Sequence, residues 1–109
     1  MIPPRYQPQH DIGFAKELVR SSSYRASKHN ALKHLDDLNL TETEMEEILL
    51  KLTEDDFIKS EINGNNEWQD YFKPNWRVQG SKLFIKWKIV SNNKLIITSF
   101  KPDTDDFIR

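Results

Sequence analysis

The spacing of apolar residues along the chain changes from helical to strand-like once, at about Thr53. Asp11 followed by Ile12, Ala15, Leu18 and Val19 predicts a capped amphipathic helix running to about Arg20. Ser21 to Tyr24 reads as a break. Ser27 predicts the cap of a second helix, with Ala31, Leu32, Leu35 and Leu38 facing inward and Lys28, His29 and Lys33 outward. Thr41 and Glu44 form a capping box. Behind it, Met45, Ile48, Leu49 and Leu52 recur at the spacing of one helical face.

Thr53 with Asp56 predicts one more capped turn, after which period two takes over. Phe57 to Ile62 reads as a strand ending at Asn63-Gly64, a strong hairpin signal, and Trp68 to Phe72 as its return. From Lys82 to Val90 the alternation is clean: Leu83, Ile85, Trp87 and Ile89 fall on one face, and Lys82, Phe84, Lys86 and Lys88 on the other. Ser91 to Asn93 tolerates a tight reversal, and Leu95 to Phe100 resumes an apolar, β-branched run. Helices first and antiparallel strands afterwards predict an α+β domain. The N-terminal helices pack on one face of a C-terminal, mainly antiparallel sheet, and the lysines occupy the uncovered face.

The 109 residues fit one domain. Met1 to Gln9, with Pro3, Pro4 and Pro8, is expected to be a frayed arm, and Pro102 to Arg109 a disordered tail. There is no cysteine, which removes disulfides, thiolate metal sites and a cysteine nucleophile and fits a reducing cytoplasm. No apolar run has the length of a membrane helix, and the polar, Pro-rich start does not read as a signal peptide, so the protein is expected to be soluble.

The formal net charge of -1 conceals an asymmetry that changes the picture. Leu35 to Asp70 carries 12 acidic residues against Lys51 and Lys59, whereas Tyr71 to Lys101 carries seven basic residues and no acid. A one-sign segment of that length reads as an anion-facing surface; the alternative is that acids merely solvate the helices and lysines the sheet.

The three histidines, His10, His29 and His34, do not share a helix face as metal ligands do. Glu54, Asp55 and Asp56 lack the pattern of a calcium loop, and no glycine-rich phosphate loop exists. No metal or cofactor is expected. What remains is lysine, glutamine and aromatic chemistry on a sheet. Cleaving RNA needs a group for the 2′-hydroxyl, cations around the developing phosphorane and a proton for the leaving 5′-oxygen. Crowded lysines supply the cations, and a lysine whose pKa is depressed by its neighbours can move a proton.

Asp56-Phe-Ile-Lys-Ser60, then Trp68-Gln-Asp-Tyr-Phe-Lys-Pro74, then Gly80 with Leu83-Phe-Ile-Lys86, and finally Ser99-Phe-Lys101 stand in an order and spacing that resembles the MqsR family of bacterial toxins, the motility quorum-sensing regulators. The resemblance spans the first helix to Lys101. It implies a RelE-like α+β fold, metal-independent endoribonuclease activity on messenger RNA, a bacterial cytoplasmic location, and a cognate antitoxin as partner. Carried over by motif, the functional positions fall on Lys59, Gln69 and Lys101. Where the family has a catalytic tyrosine, this chain has Phe84, which can stack a base but cannot move a proton. Either Tyr71, on the neighbouring strand, or Lys86 then takes that role, or activity is weaker than is typical of the family. Phe84, Lys86, Lys88, Lys82, Arg77 and Lys73 are expected to bind RNA.

Purely structural readings stand beside these. Lys59 could pair with Asp55 or Asp56, Gln69 could be an edge-strand amide, and Trp68 and Trp87 could be core; Trp76 is open between core and RNA stacking. A binding module that has lost its chemistry at Phe84 is the alternative to an enzyme. The antitoxin is expected at a sheet edge and the adjoining basic surface, because an edge leaves backbone groups for another chain to complete.

Overall fold

The computed structural model describes residues 2–91 and 93–103. Helix α1 spans Ile12–Arg20, with the Asp11 carboxylate accepting the Phe14 amide at its start. Ser27 caps the next helix through the Asn30 amide. That helix opens as a π-helical turn, Lys28–Leu32, in which the Leu32 amide reaches back to the Ser27 carbonyl, and continues as α2, Lys33–Leu38. Asn39, at φ 58°, ends it in the left-handed conformation that an Asn tolerates. The expected capping box of Thr41 and Glu44 starts α3, Glu42–Lys51, and Thr53 with Asp56 forms a second box on the short turn Glu54–Asp56.

The strands are β1 Tyr24–Ala26, β2 Phe57–Ile62, β3 Trp68–Phe72, β4 Leu83–Val90 and β5 Lys94–Pro102. They form one sheet in the order β1-β5-β4-β3-β2, antiparallel except where β1 runs parallel to β5. The protein is therefore α+β, with its helices before most of the sheet, as expected. Strand β1 is new relative to the sequence reading, which saw only a break before Ser27. Three residues carry no readable period, and pairing with β5 alone makes them a strand.

The apolar stripes of all three helices close over Phe72, Leu83, Ile85, Trp87, Leu95, Ile97 and Phe100 in one core. Burying side chains of this size contributes about 1.5–3 kcal/mol each. Trp87 is core, in edge contact with Phe72 at 4.8 Å, and Trp76 packs partly buried against the same core.

Three local expectations change. The N-terminal arm, expected to be frayed, is tied down: Arg5 pairs with Ser60 on the outer edge of β2 through bonds of 2.8 and 2.7 Å, and its guanidinium lies 4.2 Å from the centre of the Trp68 ring. The β2–β3 connection is a longer loop than a two-residue turn; Asn66, at φ 61°, takes the left-handed position, and the Asn63 side chain accepts the amides of Asn65 and Glu67. Strand β5 continues through Pro102, where a tail was expected, and the Asp103 amide donates to the Lys82 carbonyl. Residues 104–109 of that tail lie outside the described residues.

Candidate active site on the exposed face of the sheet

Two register irregularities decide which side chains face away from the helices. In β2, Phe57 pairs with Phe72 but Lys59 pairs with Tyr71, so Ile58 is an extra residue. Without it Phe57 and Lys59 would share a face; with it Phe57 packs inward against Phe72 while Lys59 projects outward beside Tyr71. In β5 the extra residue is Thr98: Trp87 pairs with Ile97 and Lys86 with Ser99. Ile97 and Phe100 are thereby both core while Lys101 stands outward opposite Phe84.

Ser60 and Asp70, inward neighbours of Lys59 and Gln69, hold the β2–β3 pair from beneath. The buried Asp70 carboxylate accepts the Ser60 hydroxyl and, at 3.0 Å each, the backbone amides of Gln9 and His10. The serine and aspartate of the two motifs are thus bonded to each other, and the lysine and glutamine beside them are aimed at solvent.

On the outer face, Tyr71 and Phe84 meet edge to face at 5.6 Å. Four ammonium groups surround these rings: Lys59 and Lys86 lie 5.2 and 5.1 Å from the Tyr71 ring centre, and Lys101 and Lys73 lie 5.5 and 6.0 Å from that of Phe84. Contacts of this length between a cation and a ring face are attractive. Gln69 is on the same face, its carbonyl oxygen accepting the Thr98 hydroxyl at 2.6 Å.

The acid-free sequence segment does not become an acid-free surface. Glu61 binds Lys59 at 3.1 Å, Glu67 binds Lys88 at 2.7 Å, and Asp103 binds Lys73 at 3.4 Å. The partner of Lys59 is thus Glu61, not Asp55 or Asp56. Among the described residues no acid pairs with Lys86 or Lys101. Burial, and then the charge of Lys101, push the Lys86 pKa below the ordinary lysine range, with Glu61 opposing them. Burial and a hydrogen bond to Glu61 raise the Tyr71 phenol to about 12. Glu61 is correspondingly lowered, first by the Tyr71 hydrogen bond and then by Lys59.

The structure therefore brings together Lys59, Gln69, Tyr71, Phe84, Lys86 and Lys101, with Lys73 at the margin. It does not bring Arg77, which donates to the Gly80 carbonyl at 3.1 Å in the β3–β4 connection and lines a groove beside Glu44 and Glu47 of α3. Lys88 is held by Glu67, and Lys82 precedes β4, its carbonyl accepting the Asp103 amide. Sequence reasoning missed Glu61 and Thr98. Glu61 was findable, since two residues beyond Lys59 in a strand is the same face; Thr98 needed the bulge. No three His, Asp or Glu side chains among the described residues converge as metal ligands.

A small α+β domain with lysines gathered around two half-buried rings on its open sheet face defines an anion-binding class of surface. Comparison with known sequences goes further: the motility quorum-sensing regulator family, described as the toxin of MqsA, matches residues 7–102. The chain belongs to this toxin family. No curated protein matches it. Among the described residues no helix is long and apolar enough to cross a membrane.

Proposed function

We propose that the protein is a metal-independent endoribonuclease toxin of a toxin–antitoxin pair, cleaving messenger RNA in the bacterial cytoplasm. The observation that carries this reading is the convergence of Lys59, Tyr71, Lys86 and Lys101 on one open face. Lys59 and Lys101 flank the scissile phosphate and offset the charge of the phosphorane, a task that preorganised cations perform without a metal. Phe84 and the adjoining Tyr71 ring stack an unpaired base. Gln69 donates its amide N–H to a phosphate oxygen, its carbonyl being engaged by Thr98.

Lys86 is the proton donor to the leaving 5′-oxygen. A depressed lysine pKa makes the ammonium a better acid near neutrality. The hydroxyl missing at Phe84 is supplied by Tyr71, in edge contact with it; raised to about 12, the phenol stays protonated and donates to the developing phosphorane charge. Lys59, Gln69, Lys101 and Tyr71 thus act on the reacting phosphate and Lys86 on the leaving oxygen, while Phe84 and Lys73 bind the strand.

Incubating the purified protein with single-stranded RNA in EDTA is the test. Cleavage leaving 2′,3′-cyclic phosphate ends is expected, and a strict need for divalent metal would contradict the reading. Phe84 favours one alternative, a module that binds RNA or its antitoxin without cutting. Phe84→Tyr separates the two: a rise in cleavage at unchanged RNA affinity identifies an enzyme, and no response in either supports the binder.

The family description supports an antitoxin as partner, and the sheet supplies two edges for it. That of β2 is met by Arg5 at Ser60, whereas β1 presents Tyr24–Ala26 beside a groove reaching Glu42 and Glu46 of α3. An antitoxin strand completes an edge and covers the adjoining basic surface.

A further inference from the structure

Resting on the reading of this face as an RNA-cleaving site, we propose that Glu61 is the proton acceptor for the attacking 2′-hydroxyl. Glu61 stands in β2 opposite Gln69, on the same face as the lysine cluster, and its side chain is 40% exposed, so a ribose can reach it. Two donors fix the carboxylate: Lys59 Nζ at 3.1 Å and the Tyr71 hydroxyl. Lys59 has further N–H groups with which to hold the scissile phosphate, and so places the adjacent ribose beside Glu61; the single Tyr71 O–H turns from Glu61 to the phosphate as the carboxylate takes up its proton.

Among the described residues, the other groups at the centre of the site lack a proton acceptor. Lys59, Lys86 and Lys101 are ammonium groups, Tyr71 at about 12 keeps its proton, and the Gln69 amide is not basic. Glu67 and Asp103 are ion-paired carboxylates like Glu61, but they stand at the margin, beside Lys88 and Lys73, and not beside Lys59 and Tyr71. His10 is turned away, its ring bonded to the Trp68 carbonyl at 2.9 Å and its amide to the inward Asp70. Glu61 remains. Its neighbours Tyr71, Lys59 and Lys86 all lower its pKa, so it is ionised throughout the neutral range.

The step balances. The Glu61 carboxylate takes the 2′-hydroxyl proton as that oxygen bonds to phosphorus; the bond from phosphorus to the 5′-oxygen breaks; the Lys86 ammonium protonates the departing oxygen. The products are a 2′,3′-cyclic phosphate and a 5′-hydroxyl. Exchange with water returns a proton to Lys86 and removes the one on Glu61.

Single-turnover cleavage of an RNA oligonucleotide in EDTA, followed against pH for the wild-type protein and Glu61→Gln, tests the assignment. The wild-type rate is expected to be level near neutrality, to fall at acid pH, below the ordinary carboxylate value of 4.5, and to fall again at alkaline pH as the Lys86 ammonium loses its proton. Glu61→Gln is expected to lose about 100-fold in rate, to lose that acid limb, and to bind RNA no more weakly. A structural role would not remove the limb. A Glu61→Gln rate within about threefold of wild type overturns the proposal. So does a wild-type rate climbing about tenfold per pH unit from about pH 6 to about pH 9, which assigns the base to a lysine and needs no variant. Absence of wild-type cleavage overturns the parent reading as well.

Discussion

Removing the carboxylate of Asp70 is expected to be among the most damaging single changes outside the apolar core. Asp70→Ala deletes three hydrogen bonds to a buried acid: from the Ser60 hydroxyl and from the amides of Gln9 and His10. Bonds to charged groups contribute about 1.5–3 kcal/mol each, so the simple sum is about 4.5–9 kcal/mol. The arm can lift and return the two amides to water, and the bonds do not add. The expected loss is therefore about 3–5 kcal/mol, a large part of the stability of a domain this size. With about 4–8 °C per kcal/mol, the melting midpoint falls by at least about 12 °C. Urea unfolding of wild type, Ser60→Ala, Asp70→Ala and the double variant gives both the loss and the Ser60–Asp70 coupling. The coupling is expected at about 1–3 kcal/mol. An Asp70→Ala protein within about 1 kcal/mol of wild type would refute the view that this acid holds β2, β3 and the arm together.

Other perturbations test the site. Lys86→Met is expected to stabilise the fold by less than about 1 kcal/mol while abolishing cleavage, because it removes a partly desolvated ammonium facing Lys101. The folded pKa lies below the unfolded value of 10.5, so wild-type stability rises between the two as the penalty is released. The advantage of Lys86→Met should therefore be full below the lowered folded pKa and fade as pH rises toward 10.5; an advantage growing with pH contradicts it. In RNA titrations against salt, Lys86→Ala should reduce the slope by about one unit and Lys88→Ala by less, since Glu67 neutralises Lys88 already. Equal losses would remove the distinction between free and paired lysines. For the antitoxin complex, hydrogen exchange should show protection within Phe57 to Lys101 or at β1; protection confined to the helices would sink the edge-strand proposal.

The helices were legible because capping and apolar period agree in each: Asp11, Ser27 and Thr41 all cap where the stripe begins. The alternation of β4 placed Phe84 and Lys86 on the correct face for the same reason, a local signal with nothing to override it. What escaped depends on pairing between distant segments. The bulges at Ile58 and Thr98 exist only relative to a partner strand, yet they decide that Lys59 and Lys101 point outward. The Arg5 arm looked frayed from its prolines, because its anchors, Ser60 and Asp70, are some sixty residues away in sequence. The acids were misjudged by counting charge along the chain: Glu61 and Glu67 precede the acid-free segment but fold back onto its lysines.

The central claim is that this sheet face cleaves RNA with its phenolic hydroxyl moved from position 84 to position 71. Single-turnover cleavage in EDTA by wild type, Tyr71→Phe, and Tyr71→Phe combined with Phe84→Tyr tests it most directly. Tyr71→Phe keeps the ring against Phe84 and removes only the hydroxyl. The expected result is a loss of about 100-fold in the single variant, with similar RNA affinity, and recovery of at least about tenfold when the hydroxyl returns at position 84. Cleavage by Tyr71→Phe at the wild-type rate, or no cleavage by any of the three, would contradict the claim.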